Sequence, residues 1–206
     1  YTQPEFNVAT KMNLGAEAAS GEFVMFLNDD IEVISEEWIG AMLSLAQKRE
    51  VGVVGPKLLF EDGSLQHVGV TFCNGLPDHI RREYPGDDPG YYFSSEGQRN
   101  YLAVTGACAL MRKQLFHDVG GFNEEFAINY NDIDLCLKVW QKGLRNVYTG
   151  QAILYHFESR NRERTVASHE EHLFKGLWAD KITPDPYYSS YFKASPPNFE
   201  LQKLEN

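Results

Sequence analysis

The sequence predicts an α/β fold with a mostly parallel sheet, and two features of its first half support this prediction. Residues 23–27 read Phe-Val-Met-Phe-Leu, five apolar residues without the alternation of a half-exposed strand. Such a run is typical of a parallel strand that is buried on both faces. Segments with helical spacing precede and follow it, at residues 9–20 and 35–49, so the chain begins in the order helix, strand, helix.

The two helices have recognisable ends. In residues 9–20, Met12 and Ala16 share one helical face, and Gly21 ends the segment. The second helix is predicted to start at Ser35, because a serine hydroxyl at the N-cap accepts a hydrogen bond from a free backbone N–H.

Further elements follow along the chain. The valine-rich residues 51–56 predict a strand that ends at the Gly-Pro pair of residues 55–56. Residues 61–64 predict a hairpin turn. Residues 101–111 predict another strand, and residues 131–141 predict a helix. Residues 169–172, His-Glu-Glu-His, bring two histidines to one side of a late helix, but the glutamates between them predict a solvated face.

Residues 74–97 lack any period, and Gly and Pro recur among charges of both signs. Loops of this length are uncommon in a compact domain unless they bind something or move. A functional loop and a disordered segment are equally open interpretations.

Composition limits the class of protein. The 206 residues are 43% hydrophobic, which suits one domain with a substantial core. A net charge of −10 argues against nucleic acid as a partner, since phosphate-backbone binding needs clustered Lys and Arg. The three cysteines, Cys73, Cys108 and Cys136, are widely spaced and odd in number, which favours a reducing cytoplasm over a disulfide framework. No stretch approaches the roughly 20 apolar residues that cross a bilayer, and no signal sequence is recognisable.

The buried strand ends in acidic residues at Asn28-Asp29-Asp30. Ligands bind at the carboxyl ends of strands in α/β sheets, and clustered carboxylates generally hold a cation such as Mg²⁺, Mn²⁺ or Ca²⁺. A simple acidic turn into the next helix is an equally good interpretation of these residues alone. Asp132 and Asp134 raise a similar choice, because they lie in the first turn of a predicted helix, where negative charge caps free N–H groups.

Several short motifs occur in one order, and together they identify a family. The sequence resembles the inverting glycosyltransferases of family 2, most closely the rhamnosyltransferase-like enzymes of bacterial cell-surface polysaccharide assembly, from about residue 6 to residue 188. The motifs are Asn28-Asp29-Asp30, Gln66-His67-Val68-Gly69, Val104-Thr105-Gly106-Ala107-Cys108, Val119-Gly120-Gly121-Phe122-Asn123-Glu124, Asn131-Asp132-Ile133-Asp134-Leu135-Cys136, Tyr155-His156-Phe157-Glu158-Ser159 and Asp185-Pro186-Tyr187-Tyr188.

The resemblance implies a GT-A fold, a mostly parallel sheet flanked by helices with a nucleotide-sugar donor at the strand ends. It implies that Asn28, Asp29 and Asp30 form the metal-binding DXD motif, in which Asp30 binds a divalent ion, Mn²⁺ or Mg²⁺, on the donor diphosphate. His156 matches a further metal ligand. Arg162 matches an arginine that would clamp the diphosphate, although a solvated basic loop is the alternative.

The resemblance also assigns the acceptor side. Asp132 matches the family's general base, which would take the proton of the acceptor hydroxyl. Thr105 and Gly106 fall where the family shapes the floor of the acceptor site. Asp134 is grouped with them, in a capping or orienting role. For Gln66, as for its neighbour His67, hydrogen bonding within the core is the preferred interpretation.

Compared with the family, the sequence is expected to lack the N-terminal nucleotide-binding strands. Residues 1–206 would then be a single partial catalytic domain, with a core over 1–160 and a tail over 161–206. A sheet without these strands has an open edge, which predicts self-association between copies.

Two functions remain open from the sequence. The first is an inverting, metal-dependent transfer of sugar from a nucleotide sugar to a glycan or lipid-linked acceptor, in the cytoplasm or at the inner face of the membrane. The second is a folded fragment that binds glycan without catalysis. A metal-dependent hydrolase would also explain the carboxylates, but the motif order does not support it.

Overall fold

The computed structural model describes residues 6–157 and 167–203, which fold into a mixed sheet with helices packed against it. The strands are β1 (Phe23–Leu27), β2 (Ile31–Val33), β3 (Val51–Leu59), β4 (Leu65–His67), β5 (Val70–Cys73), β6 (Leu76–His79), β7 (Gln98–Tyr101), β8 (Cys108–Arg112) and β9 (Arg145–His156). The helices are α1 (Val8–Ala18), α2 (Trp38–Ala46), α3 (Lys113–Asp118), α4 (Asn131–Gln141) and α5 (Ser168–Trp178), with a short 3₁₀ helix at Tyr91–Phe93.

The main sheet has seven strands, and its central path runs β1-β8-β3-β9-β2. β4 pairs with β3 and β7 pairs with β9 beside this path, while β5 and β6 form a separate two-stranded sheet. β3 and β9 are parallel, and the other pairings that involve the described strands are antiparallel. The α/β prediction is confirmed, but the sheet is mixed and not mostly parallel, since an apolar run predicts a strand without fixing its direction.

The apolar run of β1 predicted burial on both faces, but only one face of this strand is buried. Val24 and Phe26 are each 4% exposed, whereas Leu27 is 42% exposed and the remaining residues are intermediate. β1 stands at one end of the strand order, next to β8 alone among the described strands. An edge strand keeps one face in the core and leaves the other partly open.

Two apolar layers cover the two faces of the sheet. Met42 and Leu45 of α2 pack with Val54 and Leu58 of β3 on one side. The larger layer, on the other side, includes residues from α1, α3, α4 and α5. β3 lies between these layers and is buried from Val51 to Leu58.

β3 runs through Pro56, where the sequence predicted that the strand would stop. The register between β3 and β9 shifts between Pro56 and Lys57. Proline has no N–H to donate to the sheet. It is tolerated at such an irregularity because the regular hydrogen bonding is already interrupted there.

α1 and α4 form close to their predicted bounds, but α2 begins at Trp38 and not after Ser35. The Ser35 hydroxyl instead accepts a hydrogen bond from the Ile153 N–H of β9 at 2.8 Å. The hairpin turn predicted at residues 61–64 is present, and Asp62 Oδ1 accepts the backbone N–H of Ser64 at 3.0 Å. The three cysteines are free, and no helix of the described part is long and apolar enough to cross a membrane.

Glu170 of α5 holds the loop that leads into α4. Its carboxylate accepts hydrogen bonds from Ile128 N–H at 2.9 Å, Asn129 N–H at 3.3 Å and Asn129 Nδ2 at 2.8 Å. Glu170 is 1% exposed, so the predicted solvated face is wrong at this position. The burial of this carboxylate is stabilised by hydrogen bonds from N–H groups of a loop far away in sequence. The periodicity of the helix contains no information about that loop.

We expect Glu170→Ala to lower the free energy of unfolding by about 3 kcal/mol, because it leaves buried N–H groups without an acceptor. Glu171→Ala is the matched control, since Glu171 is the next residue and pairs with the exposed Lys175. Urea unfolding of both variants measures the difference. Equal stability of the two variants would contradict the structural role of Glu170.

Candidate active site

The acidic loop and His156 meet because the loop joins two strands of the sheet. β1 ends at Leu27, and β2 begins at Ile31 and pairs antiparallel with the end of β9, so that Ile31 lies opposite His156. The N–H of Phe157 donates to the Asp30 carbonyl at 2.9 Å. Residues 28–30 are therefore fixed against the carboxyl end of β9.

The Asp30 carboxylate and the His156 imidazole form a two-membered candidate metal site. Asp30 Oδ1 lies 3.1 Å from His156 Nε2, and this oxygen is buried without a hydrogen bond from any residue that the structure describes. Adjacent ligands of one octahedral ion lie about 3 Å apart when each bond is about 2.1 Å. The spacing and the unsatisfied oxygen thus fit a shared divalent cation.

Two protein ligands suit an ion that a substrate phosphate also binds. No group of three or more His, Cys, Asp and Glu side chains placed to hold a metal occurs within residues 6–157 and 167–203. Mg²⁺ and similar ions are commonly held by one or two carboxylates together with phosphate oxygens and water. Asp30 and His156 alone would leave the other positions of such an ion to phosphate oxygens and water.

The other members of the acidic loop are placed differently. Asn28 Nδ2 lies 3.1 Å from His156 Nε2 and donates to its lone pair. This hydrogen bond must give way before a cation can bind the same nitrogen. Asp29 is exposed to solvent.

Asp132 lies in the first turn of α4 and faces the segment before β8. Its Oδ2 accepts the Gly106 N–H at 2.6 Å, and its Oδ1 accepts the Ile133 N–H at 2.8 Å. Burial raises the pKa of the Asp132 carboxyl above its ordinary value, although both hydrogen bonds oppose that shift. A Cβ at Gly106 would lie 2.8 Å from the Asp132 Cβ, so only glycine permits this approach.

Residues 105–107 connect the Asp132 side of the site to the metal side. The Asn28 N–H donates to the Ala107 carbonyl at 2.9 Å, next to the Gly106 that binds Asp132. The Thr105 hydroxyl accepts the Ala107 N–H at 3.3 Å. The structure thus brings the predicted residues Asn28, Asp30, His156, Thr105, Gly106 and Asp132 to one edge of the sheet.

Asp134 lies apart from this set. It is 2% exposed, its Oδ1 accepts the Trp178 indole N–H at 3.0 Å, and its Oδ2 is 3.1 Å from Lys138 Nζ. These contacts join α4 to α5, and both the capping or orienting role of Asp134 and its grouping with the acceptor residues stay predictions. Arg162 falls outside the described residues.

Two residues that the sequence placed in the core also border the site. Both polar groups of the Gln66 amide contact His156, with Oε1 at 2.7 Å from Nδ1 and Nε2 at 3.3 Å from the carbonyl oxygen. His67 Nε2 lies 3.5 Å from the Thr105 N, and burial lowers the pKa of His67 to about 3. The motif Gln66-His67-Val68-Gly69 was the available signal, but it did not reveal which residue each side chain reaches.

Sequence comparison assigns the chain to a family. Residues 2–120, more than half of the chain, match the model of "Glycosyl transferase family 2". An uncharacterized protein of Sinorhizobium fredii is 38% identical over 207 residues, which cover 96% of this chain and 22% of that protein.

Two further relatives have descriptive names. The O-antigen biosynthesis protein RfbC of Myxococcus xanthus is 38% identical over 193 residues, covering 90% of this chain. The N-acetylglucosaminyl-diphospho-decaprenol L-rhamnosyltransferase of Mycobacterium tuberculosis is 33% identical over 161 residues, covering 72% of this chain. The chain spans 15% of the Myxococcus protein and 51% of the mycobacterial one.

The fold also matches a solved glycosyltransferase. The structure of GalNAc-T7 with UDP, GalNAc and Mn²⁺ aligns with a TM-score of 0.60 and 13% identity, covering 76% of this chain and 31% of that one. At this identity the likeness shows the fold alone, and it confirms the predicted GT-A architecture. With the sequence match over residues 2–120, these findings show that the chain belongs to glycosyltransferase family 2.

Proposed function

We propose that this chain is the catalytic part of an inverting, metal-dependent glycosyltransferase. It would transfer a sugar from a nucleotide sugar to a glycan or lipid-linked acceptor in bacterial cell-surface polysaccharide synthesis. The observation that carries the proposal is the connection of the Asp30–His156 pair to Asp132 through residues 105–107 on one edge of the sheet. The names of the Myxococcus and mycobacterial relatives support the class of reaction.

Asp30 and His156 are the residues that would hold the divalent cation. A cation bound there supplies Lewis-acid stabilisation of the charge that develops on the departing nucleoside diphosphate. Imidazole favours transition metals, so this pair tilts the choice toward Mn²⁺ over Mg²⁺. Mn²⁺ is also the ion in the GalNAc-T7 complex.

Asp132 would act as the general base. A hydroxyl becomes a competent nucleophile as its proton leaves, and a carboxylate within hydrogen-bond reach can take that proton. Burial raises the pKa of Asp132, which brings its basicity closer to that needed near neutral pH. Its hydrogen bonds to the Gly106 and Ile133 N–H groups fix the carboxylate's orientation, and attack opposite the leaving group would invert the anomeric centre.

Several finer assignments belong to the same proposal. Thr105 and Gly106 would shape the acceptor floor beside the base, and Asn28 and Asp29 would contact the donor beside the metal. Residues 1–206 would act as one catalytic unit, in the cytoplasm or at the inner face of the membrane.

Self-association through β1 is a separate part of the proposal. Within the described residues β1 pairs only with β8, and Leu27 at its end is 42% exposed. An unpaired strand edge of this kind can add a strand from a second copy. Sedimentation velocity over a range of concentrations should show a dimer, and a monomer at the highest concentration would reject it.

The metal site is tested by titration calorimetry with Mn²⁺ and a panel of nucleoside diphosphates. Binding by the unaltered chain that is lost in Asp30→Ala supports the enzyme. Absence of binding supports the alternative, a folded module that does not hold a donor.

We expect Asp132→Asn to abolish sugar transfer while the affinity for Mn²⁺ and the nucleoside diphosphate stays unchanged, because the base does not touch the metal pair. In the unaltered protein, transfer should fall as the pH drops through the raised pKa of Asp132. That limb should lie above about pH 4, the ordinary value for an aspartate. Release of nucleoside diphosphate measures the transfer rate of the variant and the pH dependence of the unaltered protein. Titration calorimetry measures the affinity.

Asp118→Asn is the control for loss of an aspartate charge, because Asp118 is exposed at the end of α3 and accepts a hydrogen bond from Gln114 of its own helix. This variant should keep its turnover number. Retained transfer in Asp132→Asn, or an equal loss in Asp118→Asn, would contradict the assignment of the base.

We expect Asn28→Asp to bind Mn²⁺ about tenfold more tightly, because the change removes the N–H that occupies His156 Nε2 and adds a charged oxygen ligand. Asn28→Ala removes the N–H without adding a ligand, and its affinity should fall between the two. Calorimetry of the three proteins gives the order. An Asn28→Asp protein that binds no better than the unaltered one would contradict the role of this position.

A further inference from the structure

Gln66 holds His156 at two points, and this contact is unlike ordinary core packing. The Gln66 Nε2 donates to the His156 carbonyl at 3.3 Å, while Oε1 lies 2.7 Å from the ring nitrogen Nδ1. Gln66 is 3% exposed and His156 is 7% exposed. One buried amide therefore fixes both the backbone and the ring of the histidine.

A break in strand pairing directs Gln66 to this position. Between β3 and β4, Leu58 pairs with His67 and Leu59 pairs with Leu65, so Gln66 is the extra residue of a bulge. Bulges re-aim a side chain and occur beside active sites. In a regular strand the direction of the Gln66 side chain would be set by the alternation of side chains between the two faces of the sheet. At the bulge this alternation is interrupted, so Gln66 can point elsewhere.

The two hydrogen bonds also determine where the His156 ring carries its proton. The His156 carbonyl can only accept, so the NH₂ group of Gln66 must face it, and the amide oxygen must face Nδ1. An amide oxygen accepts, which places the proton of the neutral ring on Nδ1 and leaves a lone pair on Nε2. The hydrogen bond from Asn28 Nδ2 to Nε2 requires the same tautomer.

We infer that Gln66 is a positioning residue that presents the Nε2 lone pair of His156 to a divalent cation beside Asp30. The inference rests on the proposed metal site, and it adds a residue that acts through the ligand without touching the ion. Groups that fix the tautomer and orientation of a ligating histidine change metal affinity by about 10-fold to 100-fold when they are removed.

The tautomer can be read directly in the metal-free protein. Protonated and unprotonated imidazole nitrogens have distinct ¹⁵N chemical shifts, so we expect His156 at alkaline pH to show a protonated Nδ1 and a bare Nε2. In Gln66→Leu the preference for Nδ1 should be lost. A protonated Nε2 in the unaltered protein would overturn the inference without bearing on whether the protein binds metal.

Mn²⁺ affinity, measured by electron paramagnetic resonance, tests the consequence of the tautomer. Gln66→Leu should bind Mn²⁺ about 10-fold to 100-fold more weakly. Gln66→Glu keeps an oxygen for the Nδ1 proton and should retain most of the affinity. If both variants bind as tightly as the unaltered protein, Gln66 has no positioning role.

Asn146→Ala serves as the control for loss of a buried amide. Asn146 is 0% exposed and donates to the carbonyls of Leu102 and Cys136, near the opposite end of β9 from His156. This variant should lose stability but keep its Mn²⁺ affinity and its His156 tautomer. Weakening equal to that of Gln66→Leu would mean that general destabilisation, and not the Gln66 contact, sets the affinity.

Discussion

The end of β9 is the constraint on which the site depends. β9 is the longest strand, and it pairs with β3 in parallel and with β2 and β7 in antiparallel fashion. Its last residue, His156, is held by Ile31 across the strand pair and by Gln66 from β4. Because these contacts come from separate parts of the chain, the histidine is oriented only when the sheet is complete. The acidic loop is fixed by the same event, since it connects β1 to the strand that pairs with β9.

A second close contact fixes the other half of the site. Asp132 can reach the backbone of Gly106 only because glycine has no Cβ. A Cβ at residue 106 would lie 2.8 Å from the Cβ of Asp132. The neighbouring Ala107 accepts the Asn28 N–H. Asp132 and the acidic loop are thus attached to one short backbone segment, whose position is set by the start of β8. A rearrangement of that segment would move both halves together, so their relative placement is a property of the backbone more than of side-chain packing.

The sequence predicted the structural features that are determined by neighbouring residues, and it failed for those determined by distant partners. The bounds of α4, the turn at residues 61–64 and the family assignment depend on local sequence, and each was predicted correctly. Strand direction, the passage of β3 through Pro56 and the burial of Glu170 depend on partners far along the chain. The contacts of Gln66 with His156 belong to the same group, because a bulge in the pairing of β4 decides which way Gln66 points. The pattern of one strand contains no information about the register of its neighbour.

The distribution of hydrogen bonds distinguishes the structural carboxylate Glu170 from Asp30 of the candidate metal site. Glu170 is buried and has three N–H donors, so its charge is compensated within the fold. Asp30 differs, since its Oδ1 is buried 3.1 Å from His156 Nε2 and receives no hydrogen bond from the described residues. In the neutral tautomer that Gln66 favours, the Nε2 lone pair would face Asp30 Oδ1 at 3.1 Å, and two such electron-rich atoms repel each other in a low-dielectric environment. The surrounding sheet and the Gln66 amide would maintain this contact while the ring is neutral. A cation placed between the two atoms would turn the repulsion into attraction, so the orientation cost of binding is met when the chain folds and not when the ligand arrives.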